Sequence, residues 1–397
     1  MTLMAPAAER FESGLETALR AELEQLEHRG LYRSRTYLDS PQGAHVRVGS
    51  REFVSFASND YLGLAADPRV MEAARSGAAR FGVGAGASHL LYGHHRMHHD
   101  IEDSLAHFVG YPRALLFSTG YMANIGTVTA LCGRDDEVFA DRLNHASLND
   151  AMLLCRARFR RYPHVDLNAL ERALAASRAR RKLIVTDAVF SMDGDIAPVP
   201  DLIALCERYD ACLLLDDAHG FGVLGTEGAG TLAHFGLRSA RVIYLGTLGK
   251  AAGVFGAFVA AQSTIIDYLV NRARTYIYTT AMPALLAAAL AESLQILRTE
   301  DWRRTQLQRL IGMLKEGIPR RCGTLLASQT AIQPLVLGSA ADAVRGAQAL
   351  AALGLLVPAV RPPTVPHGSA RLRISLSAAH RDEDIERLLD GLYKFAR

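Results

Sequence analysis

Three apolar runs in the middle of the chain each stop in a cluster of titratable or hydroxyl side chains. Residues 183–185 lead to Asp187 and Ser191, residues 212–215 to Asp216, Asp217 and His219, and residues 242–245 through Gly246-Thr247-Leu248-Gly249 to Lys250. Short continuous apolar runs, with helical patterning between them, are strands of a parallel sheet buried on both faces. Open sheets of this kind hold ligands at the carboxyl ends of their strands. The three runs therefore predict an α/β fold that delivers carboxylates, a histidine and one lysine to a single edge.

A carboxylate closing a buried strand is costly unless a cation meets it. The protonated ring nitrogen of pyridoxal phosphate, carried on Lys250 as a Schiff base, would meet Asp216 and account for the lysine at once. Two unit charges ~4 Å apart at an effective dielectric near 20 attract by about 4 kcal/mol, or roughly three pK units. That is enough to hold the ring proton.

The 397 residues, 49% of them hydrophobic, can bury a large core, and one large domain with a smaller one is expected. The 44 basic against 41 acidic side chains leave +3, spread too evenly to imply nucleic acid. Cys132, Cys155, Cys206, Cys212 and Cys322 form no C-x-x-C pair, which argues against a disulfide framework or a structural zinc site. No basic leader precedes an apolar stretch, and no segment offers about 18 uncharged apolar residues. A cytoplasmic protein without membrane or nucleic-acid partners is expected.

Residues 10–28 place Phe11, Leu15, Leu19, Leu23 and Leu26 at helical spacing, predicting an amphipathic helix packed on a larger body. Residues 46–56 alternate like a hairpin around Gly49-Ser50. Asn59 and Asp60 read as a turn, and Pro68 opens a helix reaching about Arg80. The glycines that follow, at 82, 84 and 86, lack the G-x-G-x-x-G spacing and a preceding strand, so a dinucleotide site is not expected. His94, His95, His98 and His99 form two i, i+4 pairs, a spacing compatible with a metal, but no acidic or cysteine ligand is evident beside them. They are read as helix-start residues, and no metal is expected. At Phe117-Ser-Thr-Gly120 a strand gives way to a helix whose N-terminus suits a phosphate, with Tyr121 and Asn124 beside it. His145, after another short strand, could stack on a planar cofactor. The arginines at 156–161 and 178–181 are read as solvated faces. Further on, residues 302–316 and 341–353 read as helices, 332–337 and 355–360 as strands, and 382–395 as a closing helix. Residues 370–376 alternate like a half-buried strand, with Leu372, Ile374 and Leu376 on one face and Arg371, Arg373 and Ser375 on the other.

Taken together, Ser-Asn-Asp-Tyr-Leu-Gly63, Asp-Arg-Leu-Asn-His-Ala-Ser147, Phe-Ser-Met-Asp-Gly-Asp195, Asp-Asp-Ala-His-Gly220, Gly-Thr-Leu-Gly-Lys250, Arg-Pro-Pro-Thr-Val-Pro366 and Ala-Arg-Leu-Arg-Ile-Ser-Leu376 resemble, in order, the motifs of the α-oxoamine synthases. These are PLP-dependent transferases of fold type I. The resemblance implies an N-terminal segment at 1–58, a large cofactor-binding domain with a mostly parallel sheet at 59–285, and a smaller C-terminal α/β domain at 286–397. It implies that Lys250 holds pyridoxal 5'-phosphate, that Asp216 faces the ring nitrogen, that His219 and Ser191 lie at the phenolic oxygen, and that His145 covers the ring. Gly120, Tyr121 and Thr247 belong to the phosphate side, with Thr279 and Thr280 approaching the phosphate of a second subunit in an obligate homodimer. Arg33, Asn59 and Thr364 match substrate-side positions, and Arg361 and Arg373 are both candidates for the amino-acid carboxylate. The Arg-Pro-Pro-Thr-Val-Pro text is most like the branch that condenses L-alanine with a pimeloyl thioester, on coenzyme A or an acyl carrier protein, in biotin biosynthesis. Sister activities using glycine or serine with other acyl thioesters are the alternative, and a cofactor-binding regulator without chemistry is the non-enzyme one. The stretch at 89–98 departs from the family in being aromatic and rich in histidine.

Overall fold

A computed structural model describes residues 13–33 and 35–396. Among the described residues the strands are, in chain order, β1 (His45–Val48), β2 (Arg51–Ser55), β3 (Arg113–Phe117), β4 (Glu137–Asp141), β5 (Arg158–Tyr162), β6 (Lys182–Asp187), β7 (Cys212–Asp216), β8 (Val242–Thr247), β9 (Ala257–Ala261), β10 (Thr324–Leu325), β11 (Ile332–Gly338), β12 (Leu355–Leu356), β13 (Ala359–Val360) and β14 (Ala370–Ser375). The three apolar runs are β6, β7 and β8. They lie side by side in a seven-stranded sheet of order β3-β9-β8-β7-β6-β4-β5. Only β9 runs against its neighbours, β3 and β8. The register pairs Asp187 with Asp216 and Asp216 with Leu245, so the polar termini of β6 and β7 fall level with each other.

Side chains alternate between the faces of this sheet, and each face has its own core. Ile184, Leu213, Leu215, Tyr244 and Phe258 join one apolar cluster, while Val185, Leu214, Ile243, Leu245 and Val259 join the other. Covering helices on both faces explain why these strands read as unbroken apolar runs.

The C-terminal part forms a four-stranded sheet of order β10-β11-β14-β13, and β12 joins β1 and β2 in a small third sheet. Several expectations change here. The strand predicted over 355–360 is two strands in different sheets. Pro358 lies between them and cannot donate to a ladder, and β12 pairs with β2 whereas β13 pairs with β14. The predicted half-buried strand, β14, is buried at every position because its arginine face lies against the turn at 191–193. The first helix spans Gly14–His28, Arg10 and Phe11 of its predicted extent lying outside the described residues. None of its residues is buried among the described residues, and Leu15 is 70% exposed. All five cysteines are free, and no helix among the described residues is long and apolar enough to cross a membrane.

Candidate active site

Lys250 follows β8 by three residues, at the strand edge predicted for it. It is half-buried as a residue, and its Nζ lies 3.5 Å from Thr247 Oγ1. The surrounding protein pushes its amine below the usual lysine range, against the opposing pull of Asp216 and Asp187.

Asp216 ends β7 and is buried. Its Oδ2 accepts from Asn124 Nδ2 at 2.6 Å and its Oδ1 from Ala218 N at 3.1 Å. Asn124 gives its second amide hydrogen to Ser147 Oγ at 2.9 Å, and Ser147 Oγ lies 2.8 Å from His145 Nδ1. With Ser147 N also donating to it at 3.3 Å, His145 Nδ1 is an acceptor. The ring hydrogen of neutral His145 is therefore on Nε2. A relay through buried Asn124 and Ser147 thus joins Asp216 to His145, itself an exposed residue, across two helices. Burial holds His145 below the usual histidine range although Asp216 opposes it. The loop bearing His145 is fixed by His145 N, which donates to Asp187 Oδ2 at 2.7 Å. Burial, reinforced by Asp216, keeps the Asp187 carboxyl well above its ordinary range.

On the opposite side, Tyr61 Oη donates to Asn59 Oδ1 at 3.0 Å and lies 2.7 Å from His219 Nδ1. His219 must then donate from Nδ1, leaving Nε2 as an acceptor. Burial, with Lys250 and Arg373 adding to it, holds His219 well below the histidine range and so neutral. Arg373 is buried, donates to Ser191 O at 2.6 Å and reaches Asn59 Oδ1 at 3.3 Å.

The phosphate side is built around the helix Gly120–Leu131. Thr119 caps it by accepting from Met122 N at 3.1 Å, and the first N–H groups are left to be met from outside the helix. A Cβ on Gly120 would come within 2.7 Å of the Thr247 methyl, so only glycine keeps this cradle open. With a lysine amine, a buried carboxylate and an open helix start at one edge, the donor set fits a phosphorylated pyridine aldehyde. Tyr121 is partly exposed and donates to Asp150.

Other predicted residues stand apart. Arg361 is bonded to Gly30 O, whereas Arg33, Thr364 and Thr280 are exposed, and none of the four bonds to the Lys250 cluster. Sequence reasoning missed Tyr61 and Ser147 and gave Asn124 to the phosphate side. The one available signal was that Tyr61 and Ser147 lie inside the quoted motifs.

The histidine-rich stretch also needs a correction. Ring nitrogens of His89, His94 and His98 lie within 4.8 Å of one another, as do ligand atoms of His94, His99 and Glu102. An acidic group is therefore present. Hydrogen bonds also join members of this cluster. His95 N donates to His98 Nδ1 at 3.0 Å, which places the ring hydrogen of neutral His98 on Nε2 and leaves no lone pair there. His89 and His94 share a hydrogen between Nδ1 atoms 2.9 Å apart. Burial holds His89 at about 3 and His98 at about 4, and pushes Glu102 up to about 8.

Comparison with known proteins agrees with this geometry. The profile of the aminotransferase class I and II family matches residues 51–392. An 8-amino-7-oxononanoate synthase of Nitrosospira multiformis is 60% identical over 382 residues, covering 96% of each chain. Among solved structures, a serine palmitoyltransferase from S. paucimobilis with bound PLP and myriocin superposes with a TM-score of 0.91 at 28% identity, covering 97% of this chain and 98% of that one. An 8-amino-7-oxononanoate synthase from Francisella tularensis gives 0.75 at 31% identity, covering 86% and 97%. The chain belongs to the aminotransferase class I and II family and, within it, to the α-oxoamine synthases of fold type I.

Proposed function

We propose that this chain is an 8-amino-7-oxononanoate synthase, an acyltransferase that condenses L-alanine with a pimeloyl thioester, on coenzyme A or an acyl carrier protein, with loss of carbon dioxide. The reading is carried by the convergence of Lys250, Asp216, His145, His219 and Arg373 at one strand edge, in a chain 60% identical to a relative of that name.

Pyridoxal 5'-phosphate, held by Lys250, Asp216, His219, Thr247 and the Gly120 cradle, supplies a carbonyl for the amino acid and an electron sink for its α-carbon. Lys250, its amine held below the usual lysine range by burial, takes the α-proton of alanine as general base. Asp216 is the carboxylate that would meet the ring nitrogen, and Asn124 fixes its orientation. His145 presents Nε2–H, a donor suited to the thioester carbonyl as negative charge builds on its oxygen. His219 offers Nε2 as an acceptor, held in that tautomer by Tyr61.

For the amino-acid carboxylate, Arg373 is the better of the two candidates, because it is buried beside Asn59 whereas Arg361 is tied to Gly30. Arg373→Lys is expected to raise KM for alanine by on the order of tenfold, through loss of a planar two-donor clamp. Arg361→Lys should leave it within about twofold. Equal effects of the two would reject this choice.

The site is shared in a homodimer on this reading, which would cover the apolar stripe of Leu15, Leu19, Leu23 and Leu26 and bring Thr280 to the second site. The test is thiol release with alanine, glycine, serine and threonine crossed with pimeloyl, acetyl, succinyl and palmitoyl thioesters, repeated on dilution. Alanine with pimeloyl should dominate. Discrimination against glycine should stay modest, since one methyl in an apolar pocket is worth ~1–3 kcal/mol, and specific activity should fall once the dimer dissociates. Preference for glycine with acetyl or succinyl, or serine with palmitoyl, would move the chain to a sister activity.

A further inference from the structure

The turn at 191–195 carries Ser191 and is held almost entirely from the C-terminal part, by β14 and by the loop between β10 and β11. Arg373 donates to Ser191 O, Arg371 to Met192 O at 3.0 Å and to Asp193, and Ser328 and Thr330 donate to Gly194 O at 2.9 and 3.1 Å. Among the described residues one side chain holds this turn from the side of the seven-stranded sheet, His164 in the turn that follows β5. His164 Nε2 lies 3.0 Å from Asp195 Oδ2, while His164 Nδ1 lies 3.0 Å from Asp141 Oδ1. Both ring nitrogens thus face carboxylates, an arrangement satisfied when both carry hydrogen. Phe190, at the root of the turn, packs edge-on against the ring at 4.4 Å.

Asp141 is itself the root of the His145 loop. Its Oδ1 also accepts from Leu143 N at 2.8 Å, and its backbone carbonyl accepts from Asn144 N at 3.3 Å. The residue after His164 is strained: Val165 has φ 50, a left-handed conformation disfavoured for a β-branched side chain, and it is held there by donating to Asp141 Oδ2 at 2.8 Å. Such strain persists only where the surroundings over-determine it. The two carboxylates raise His164 to about 10, outweighing its burial, so the bridge is charged throughout the neutral range.

We propose that His164 is a positioning residue, whose bridge between Asp141 and Asp195 sets the Ser191 turn against the His145 loop and so fixes the spacing of the two walls of the cofactor site. This rests on the reading that His145 and Ser191 flank the cofactor. The bridge acts through other residues and touches no reacting atom, so its loss should appear in kcat and not in amino-acid binding. Holoenzyme carrying His164→Asn should lose kcat by on the order of tenfold to a hundredfold, since misplacing groups by ~1 Å can cost about 10²-fold. Its KM for alanine should stay within about twofold of wild type, and the visible circular dichroism of the bound cofactor should change in amplitude as the walls shift. A lowered Tm with kcat and dichroism unchanged well below that temperature would overturn the proposal, leaving His164 structural. Asp195→Ala removes the acceptor that His164 Nε2 meets, keeps the Asp141 contact and should show the same paired change, so a wild-type result there overturns the proposal even if His164→Asn fails to fold. The dichroism needs no turnover. A wild-type protein that binds cofactor but condenses nothing would therefore sink the proposed function while His164 is still judged.

Discussion

Lys250→Ala is expected to abolish turnover, with kcat falling by on the order of 10³-fold or more, because a positioned general base alone contributes about 10²–10⁴-fold and the covalent hold on the cofactor is lost as well. The fold should survive. Among the described residues the side chain of Lys250 bonds only to Thr247, at a long distance, and removing it exposes no buried partner. Borohydride reduction of the wild-type holoenzyme followed by peptide mapping should place the cofactor on the peptide containing Lys250, and the variant should bind cofactor only reversibly. Label on any other lysine, or a variant keeping a tenth of wild-type kcat, would remove Lys250 from the centre of the site.

The parts of this site legible in the sequence are those that a strand carries to its own end. Asp216 and Lys250 each follow an apolar run directly, so the strand period and the burial of the sheet place them without knowledge of the fold's far side. Arg373 is different. Alternation put it opposite Leu372 and Ile374, on the face expected to meet solvent, and only the packing of the 191–193 turn against that face buries it. For the same reason the choice between Arg361 and Arg373 could not be made from spacing. The relay of Asn124, Ser147 and His145 joins residues from two helices, and no period in the chain encodes that contact. The stripe from Leu15 to Leu26 was legible as apolar, but no described residue of the chain buries it. Pro358 was visible, yet which two sheets it separates depends on where β2 and β14 lie.

Asp216→Asn is expected to keep the fold and lose most of the chemistry, whereas Asp217→Asn should do the reverse, and the contrast follows from what each carboxylate touches. Asp216 receives two hydrogen bonds, from Asn124 and Ala218, and the rest of its charge is directed at the ligand edge. An amide there can keep one of those bonds but supplies no charge. Losing about 4 kcal/mol of attraction to a cation ~4 Å away corresponds to kcat lower by on the order of 10³-fold, at roughly 1.36 kcal/mol per tenfold. Asp217 is spent on the protein itself: it accepts from Thr231 N and Thr231 Oγ1 at 2.6 Å each and from Tyr244 Oη at 2.8 Å. An asparagine offers a single acceptor oxygen to these three donors, and each buried donor left unmet costs about 1–3 kcal/mol. The expected result for Asp217→Asn is a Tm several degrees lower with kcat within about threefold of wild type, a 1 kcal/mol loss being worth roughly 2–4 °C in larger domains. Steady-state kinetics and thermal melts of the two purified variants decide the matter. If Asp217→Asn is the catalytically crippled protein and Asp216→Asn turns over normally, then the strand end is read one residue out of register, and the relay from Asn124 to His145 does not serve the cofactor.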